Sequence, residues 1–393
     1  MNILFINTLY YPYQIGGAEK SVQLLAEGLV TLGHTVSVLT LTNKKNNQED
    51  KNGVTIYRLK IKNIYFPFTK TKKGKVSKVI WHLLDSFNPF YTKEINNIIK
   101  VTKPDIVNAN NLSGFSPYIL KTIHKNKIPI VNTLRDYYLL CYKATMYHGG
   151  CNSEKQSMLC KLTANQKIKL VNKYSFATIG ISDFILKRHY KFGLNKNPLD
   201  NVIYNTVASN SINSTTEIDE KIYKIGYIGR ISEEKGVLYL LKMLSSKPLH
   251  KLHWKLFLAG NGSDDFINTI KKNFQKLNIE FIGHVNSDEF YKKINLLVVP
   301  SLWEEPFGRV ALEGIKNNLP VLVNNVGGLK ELSVKIGGIS ILTEQSLETS
   351  IIQKKIIDKE KAIKDLAFFS LSNHIEKWLT LSESVVNNYK KEY

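Results

Sequence analysis

Glu305 and Glu313 stand eight residues apart, and Pro306-Phe307-Gly308 follows the first of them directly. The apolar run Leu296–Val299 reads as a buried strand and Gly308–Asn317 as a helix, so Glu305 falls on a loop and Glu313 near the second helical turn. Carboxylates placed this way would flank a ligand lying across the helix N-terminus, and they accept hydrogen bonds from paired hydroxyls. The N–H groups near Phe307, Gly308 and Arg309 would meet a phosphate there, with the helix dipole adding to the attraction. The other reading is plainer: Glu305 as a first-turn charge and Glu313 as a solvated helix residue.

A second cluster lies in Gly226-Tyr227-Ile228-Gly229-Arg230-Ile231-Ser232-Glu233-Glu234-Lys235-Gly236. A strand ends at Ile228, glycine permits a sharp turn, and Arg230 and Lys235 leave that turn as two fixed cations. Cations held in place suit a departing diphosphate. Alternatively they pair with Glu233 and Glu234 on a surface loop. A third cluster, Gly16-Gly17-Ala18-Glu19, sits between the first strand and its helix, where glycine lets backbone N–H groups approach an anion. It is neither Gly-x-Gly-x-x-Gly nor a P-loop.

These residues need a frame that alternates strands and helices. Ile3–Ile6, Thr35–Leu41, Asp105–Ala109, Ile128–Thr133 and Phe176–Ile181 have the length and branching of buried parallel strands. Ala18, Val22, Leu25, Ala26, Leu29 and Leu32 make one helical stripe, which Gly33 ends. The alternation restarts after a polar stretch, with strands at Lys224–Ile228, Lys255–Ala259, Glu280–Ile282, Leu296–Pro300 and Pro320–Asn324. Helices are expected at Val237–Leu244, Asp264–Leu277, Asp288–Ile294 (N-capped by Ser287) and Gly308–Asn317. The pattern predicts an α/β chain of two doubly wound, Rossmann-like domains facing a cleft, one over 1–205 and one over 222–370, with 206–221 as linker. A last helix, about 371–393, is expected to pack back on the first domain.

Together the motifs resemble the retaining nucleotide-sugar glycosyltransferases of the GT-B fold, in the large family often called family four. The resemblance rests on Gly16-Gly17-Ala18-Glu19, Gly229-Arg230 with Lys235-Gly236, Ala259-Gly260-Asn261-Gly262, Gly283-His284-Val285 and the Glu-x7-Glu element Glu305…Glu313. It implies that Glu313 holds the donor ribose, and that Glu305 with the amides of Phe307 and Gly308 holds the donor sugar. Arg230 and Lys235 would neutralise the leaving diphosphate, aided by the Gly17 amide. Backbone near His284 and Val285 would contact the base, and Gly16, Gly262 and Arg309 join the donor-binding set. Arg135, in Asn132-Thr133-Leu134-Arg135-Asp136, stands where the family has His before Asp. Arginine stays protonated and cannot act as a base, so any catalytic role there is electrostatic; the alternative is a scaffold ion pair with Asp136 or another acid. Retention needs no base if the donor phosphate accepts the acceptor's proton on the same face.

The sequence has no Asp-x-Asp, so no metal–diphosphate motif and no cofactor are expected. Cys141, His148, Cys151 and Cys160 could supply a zinc site, but their spacing fits no familiar finger. Three cysteines in 393 residues suit a reducing cytosol, and Met1–Asn7 lacks the charged start and apolar length of a signal peptide.

The net charge of +21 is uneven: residues 1–200 carry 29 Lys and Arg against 11 Asp and Glu. Between Lys60 and Leu84 there are seven lysines and no acid, interleaved with Tyr65, Phe66, Phe68 and Trp81. Lys70, Lys72, Lys73, Lys75 and Trp81 therefore read as an acceptor or membrane contact, since basic and aromatic residues together favour an anionic interface. The same composition suits single-stranded nucleic acid or a mobile charged loop over core aromatics. The expected partners are a nucleotide-sugar donor, a saccharide or polyprenyl-diphosphate-linked acceptor and the inner face of the cell membrane, without nucleic acid. The leading reading is a metal-independent, retaining hexosyltransferase of bacterial surface polysaccharide assembly. The alternatives are a GT-B sugar-nucleotide epimerase and a non-catalytic glycan- or nucleic-acid-binding protein.

Overall fold

The computed structural model describes residues 1–13, 16–68, 73–207 and 222–392. Two compact units emerge: Met1–Met146 with Glu154–Thr206 and Leu371–Tyr393, and Tyr147–Ser153 with Val207–Ser370. Both are Rossmann-like α/β layers built on mainly parallel sheets. Most of the expected linker, residues 208–221, lies outside the described residues.

The first unit holds β1 (Asn2–Ile6), β2 (Thr35–Thr42), β3 (Asn47–Lys51), β4 (Val54–Lys60), β5 (Ile106–Ala109), β6 (Ile130–Leu134), β9 (Ala177–Gly180) and β10 (Asn201–Val202). β7 (Tyr147–His148) and β8 (Cys151–Asn152) form a separate antiparallel hairpin belonging to the second unit. The large sheet runs β10-β9-β6-β5-β1-β2-β4-β3, parallel except for β3 on β4. The central strands are buried on both faces, which explains their continuous apolar runs. β3 is Asn-Gln-Glu-Asp-Lys, exposed throughout, so hydrophobic pattern could not reveal it; a charged edge also discourages pairing with another sheet.

The Gly17–Thr31 helix buries Val22, Leu25, Ala26 and Leu29 and ends where Gly33 turns left-handed at φ +83°. The final helix, Leu371–Glu392, adds Ile375, Trp378, Leu381 and Val385 to the same core. Trp378 lies 5.4 Å from the Phe5 ring. Each such side chain contributes about 1.5–3 kcal/mol on burial, so this helix is an integral part of the first unit.

The second unit's sheet runs β13 (Ile279–Gly283), β12 (Trp254–Ala259), β11 (Tyr223–Ile228), β14 (Leu296–Val299), β15 (Val321–Val323), β16 (Ile339–Ile341), all parallel. Numbered within the unit this is 3-2-1-4-5-6, whose order reverses between β11 and β14. Ligands of such sheets bind beyond the carboxyl ends of the strands flanking that switch. Asn286, one residue before the expected Ser287, caps the Ser287–Tyr291 helix, because its Oδ1 accepts from the Asp288 and Glu289 amides.

The expected first domain over 1–205 does not keep residues 147–153. The Asn152 amide donates to Leu302 O at 2.7 Å and its Oδ1 accepts from Glu304 N at 2.9 Å, which fastens the hairpin into the second unit.

Candidate functional site

The two strands at the switch end in the two segments singled out above. After β11 the chain passes Gly229 and a 3-10 turn, Glu233–Lys235, then reverses at Gly236 with φ +72°. A Cβ at Gly236 would lie 1.8 Å from the Pro300 carbonyl oxygen, so only glycine lets this turn press against the start of the loop after β14. The contact is then sealed by hydrogen bonds. Leu302 N and Trp303 N each donate to Glu234 O at 3.0 Å.

The side chains follow the same lacing. Lys235 Nζ donates to Glu305 Oε1 at 2.9 Å and stands 4.8 Å from the Trp303 ring centroid. The pair is half-sheltered, with Lys235 22% and Glu305 13% exposed. The Glu305 carbonyl accepts from Gly328 N at 2.7 Å, which fixes the loop from its other side. Arg230 reaches outward, 64% exposed, and pairs with the Glu234 carboxylate. That pairing is the surface alternative considered for Arg230. Lys235 instead chose Glu305.

Gly308, at φ +101°, caps the Arg309–Lys316 helix with no side-chain hydrogen bond, and Phe307 beside it is buried. One helical turn on, Glu313 accepts from Tyr291 OH at 2.9 Å and from Arg309 Nε at 3.0 Å. Burial, then the Glu313 charge, raises the Tyr291 hydroxyl well above its ordinary pKa, so it stays a donor. Burial and then Glu305 do the same to Tyr227, whose hydroxyl donates to Arg230 O at 2.5 Å.

The neighbouring strand ends are tied through backbone. Gly229 N donates to Ala259 O, and Gly260 N to Gly283 O at 2.6 Å. Ile231 and Gly262 form a parallel bridge, and His284 and Val285 follow Gly283 at the end of β13. The second unit thus carries Arg230, Lys235, Gly262, His284, Val285, Glu305, Phe307 and Gly308 on turns and loops at the carboxyl end of one sheet, and Arg309 and Glu313 on the helix that follows β14. Sequence reasoning missed Trp303, Tyr291, Gly328 and Asn152. Trp303 stood beside Glu305 in the motif and could have been noticed; Asn152 carried no signal.

Other expected residues belong to the first unit. Gly16 N donates to Glu19 Oε2 at 3.0 Å, so a carboxylate already stands before the turn's amide. Arg135, after β6, is buried; its Nε donates to Asn110 Oδ1 at 2.8 Å and its Nη1 to Asn205 Oδ1 at 2.9 Å. Asp136 accepts from Asn111 Nδ2 and Tyr138 N, both at 2.8 Å, and burial pushes its carboxyl up to about 6. Cys141 and Cys160 are buried with their sulfurs 3.1 Å apart, whereas Cys151 is exposed in the β7–β8 hairpin.

Trp81 needs correction as a surface contact. It is buried, donates its Nε1–H to Tyr65 O at 2.9 Å and stacks on the Tyr65 ring. Composition revealed an aromatic, but helix phase turned it inward. Lys73 stands over the Tyr65 ring at 5.4 Å and Lys75 is exposed; Lys70 and Lys72 lie outside the described residues. A cavity of about 480 Å³ opens elsewhere in this unit beside Pro12, Tyr13, Lys44, Lys45 and Arg58.

Two Rossmann-like units, the second with cations and acids at its switch point, define a glycosyltransferase of the GT-B fold. The chain belongs to this family: residues 15–208 match the model described as Glycosyltransferase Family 4, and residues 209–356 the one described as Glycosyl transferases group 1. It is 38% identical over 366 residues to an uncharacterized 42.6 kDa protein in the cps region of Klebsiella pneumoniae, covering 92% of this chain and 96% of that one. It is 27% identical over 279 residues to the capsular polysaccharide biosynthesis glycosyltransferase CapM of Staphylococcus aureus, covering 66% and 68% of the two chains. Among solved structures, Anabaena HepE in complex with UDP and glucose shares the fold with a TM-score of 0.68 at 18% identity, covering 98% of this chain and 100% of that one.

Proposed function

We propose that the protein transfers a hexose, with retention and without a metal, from a nucleotide-diphosphate sugar to a saccharide or polyprenyl-diphosphate-linked acceptor. The place of the reaction is the inner face of the cell membrane, during assembly of a capsule or O-antigen type of polysaccharide. The observation that carries this reading is the Lys235–Glu305 pair on the two loops at the sheet's switch point, with Glu313 on the helix that follows. The UDP and glucose bound to HepE and the part of CapM in capsular polysaccharide biosynthesis support the same direction.

In the proposed step the bond between the anomeric carbon and the diphosphate oxygen breaks. The acceptor oxygen bonds that carbon on the same face, and its proton passes to the departing phosphate oxygen. Lys235 and Arg230 stabilise the charge that develops on the leaving group; each is now paired with an acid that an incoming diphosphate can displace. Glu305 and the Phe307–Gly308 backbone orient the sugar. Glu313, held by Tyr291 and Arg309, takes the ribose hydroxyls. The first unit, with its excess of Lys and Arg, receives an acceptor that carries phosphate.

Mass spectrometry of products from a panel of donor sugars, with and without a chelator, tests the reaction, and the anomeric configuration of the product tests retention. A thermal shift with UDP or GDP, but none selective for polyuridine, separates the enzyme from a nucleic-acid binder. Full turnover by both Lys235→Ala and Glu313→Ala would remove the site assignment.

A further inference from the structure

The Lys75–Ser86 helix of the first unit has two apolar faces, and only one is covered. Inward, Trp81 is buried against Tyr65, and Asp85, fully buried, accepts from Lys167 Nζ at 3.1 Å. Outward, Val76, Val79, Ile80 and Leu83 are 73%, 41%, 45% and 46% exposed. Their spacing of i, i+3, i+4 and i+7 puts them in one stripe along the helix. Isolated surface leucines and valines are ordinary, but a contiguous apolar stripe on a stable helix marks a surface that meets something.

Charge says what that partner is. The helix's only acid, Asp85, is turned in and paired, so the exposed Lys75 faces no carboxylate of its own helix. Lys73 stands just before the helix, and the sequence from Lys60 to Leu84 contains no acid at all. A protein partner or a second copy would have to offer an apolar groove lined with acids. A bilayer with anionic head groups offers acyl chains and negative charge together, and a helix with an apolar stripe and lysines is built to lie in that interface. The helix is also anchored through its other face, so no folding cost attends docking.

We propose that the stripe Val76, Val79, Ile80 and Leu83 inserts into the head-group boundary of an anionic membrane, with Lys75 at the stripe's edge pairing with its lipid phosphates. This specifies the membrane partner of the proposed function and replaces the buried Trp81 with residues that face outward.

The test is co-sedimentation of the full chain with vesicles of phosphatidylglycerol and phosphatidylcholine, against vesicles of phosphatidylcholine alone. The wild type should bind the mixed vesicles and release as salt is raised. The triple variant Val79→Ser, Ile80→Ser, Leu83→Ser and the single variant Lys75→Glu should each lose at least about tenfold in bound fraction, since insertion needs both apolar area and charge. All the changed residues are exposed, so the variants should keep the wild-type melting temperature. Wild-type binding to neither vesicle, equal binding to both, or undiminished binding by the triple variant would overturn the proposal. So would a lipid-free dimer that the triple variant dissociates, which would make the stripe a self-association surface. UDP binding measured by calorimetry without lipid reports separately on the transferase reading: its absence would sink that reading whatever the vesicles show.

Discussion

Arg135 in the first unit and Lys235 in the second each follow a central parallel strand, and their surroundings differ in kind. Arg135 is buried, and two asparagine side-chain oxygens are among the groups that hold it. Lys235 is partly open and held by Glu305, an acid that can be exchanged for another anion. A cation resting on an acid at a loop is poised to trade. The same formal charge therefore sits in two settings, one enclosed beside asparagines and one half-open against an acid on a loop.

The comparison breaks most easily at Arg135. Arg135→Met strands the Asn110 and Asn205 carbonyls and should cost about 3–5 kcal/mol, as removal of one member of a buried polar pair does; urea unfolding reads it. A loss near zero would mean the guanidinium is dispensable to the fold.

His374, whose Nδ1–H donates to Tyr204 O at 2.6 Å, sharpens the picture of that interior. Burial, with the Arg135 charge adding to it, holds His374 down at about 4, and burial does the same to His189. The unfolded chain takes up these protons near pH 6.5 and the folded chain only near 4, so stability falls as pH drops through that window, by about 3 kcal/mol per histidine. Asp136, raised to about 6, acts in the opposite sense: its contribution is lost as pH rises from about 4 to about 6. Wild-type protein should thus lose stability from pH 7 to 4, while His374→Asn, which removes one of the depressed histidines, should lose less, by about 3 kcal/mol. Urea midpoints across that range distinguish the two.

At the other pole, Lys235→Ala should lower donor turnover about 100-fold, the usual cost of removing one fixed group that stabilises developing charge. Its melting temperature should stay close to wild type. Arg230→Ala should change stability by about 0.5 kcal/mol or less, because an exposed ion pair contributes little. One further effect is confined to a single loop. Asn152→Ala frees the Leu302 carbonyl and the Glu304 amide at about 1 kcal/mol for the lost bonds, and hydrogen exchange over residues 301–306 should rise while the rest of the chain keeps its protection.

The two doubly wound sheets were legible because buried parallel strands announce themselves as short branched runs, and β1, β5, β11 and β14 all do. β3 was hidden because an exposed edge strand needs no apolar face. Glu305, Arg230 and Lys235 were legible as residue types beside glycine turns. Their partners were not: Lys235 pairs 70 positions away, Arg230 settles on a neighbour four positions away, and nothing local chooses between these outcomes. Asn152 lies 150 positions from the carbonyl it grips and was invisible for the same reason. Trp81 shows the opposite failing, since composition assigned it to a surface that its helical phase denies.

The polypeptide passes between its two units four times, after residues 146, 153, 206 and 370. A relative's donor specificity therefore cannot be grafted by exchanging one contiguous half. A splice at the linker alone would pair a foreign 301–305 loop with the wrong parent's hairpin, and would give the recipient's amino-terminal core a closing helix evolved for another. Workable chimaeras need a short inset at 147–153 and a second junction near 370.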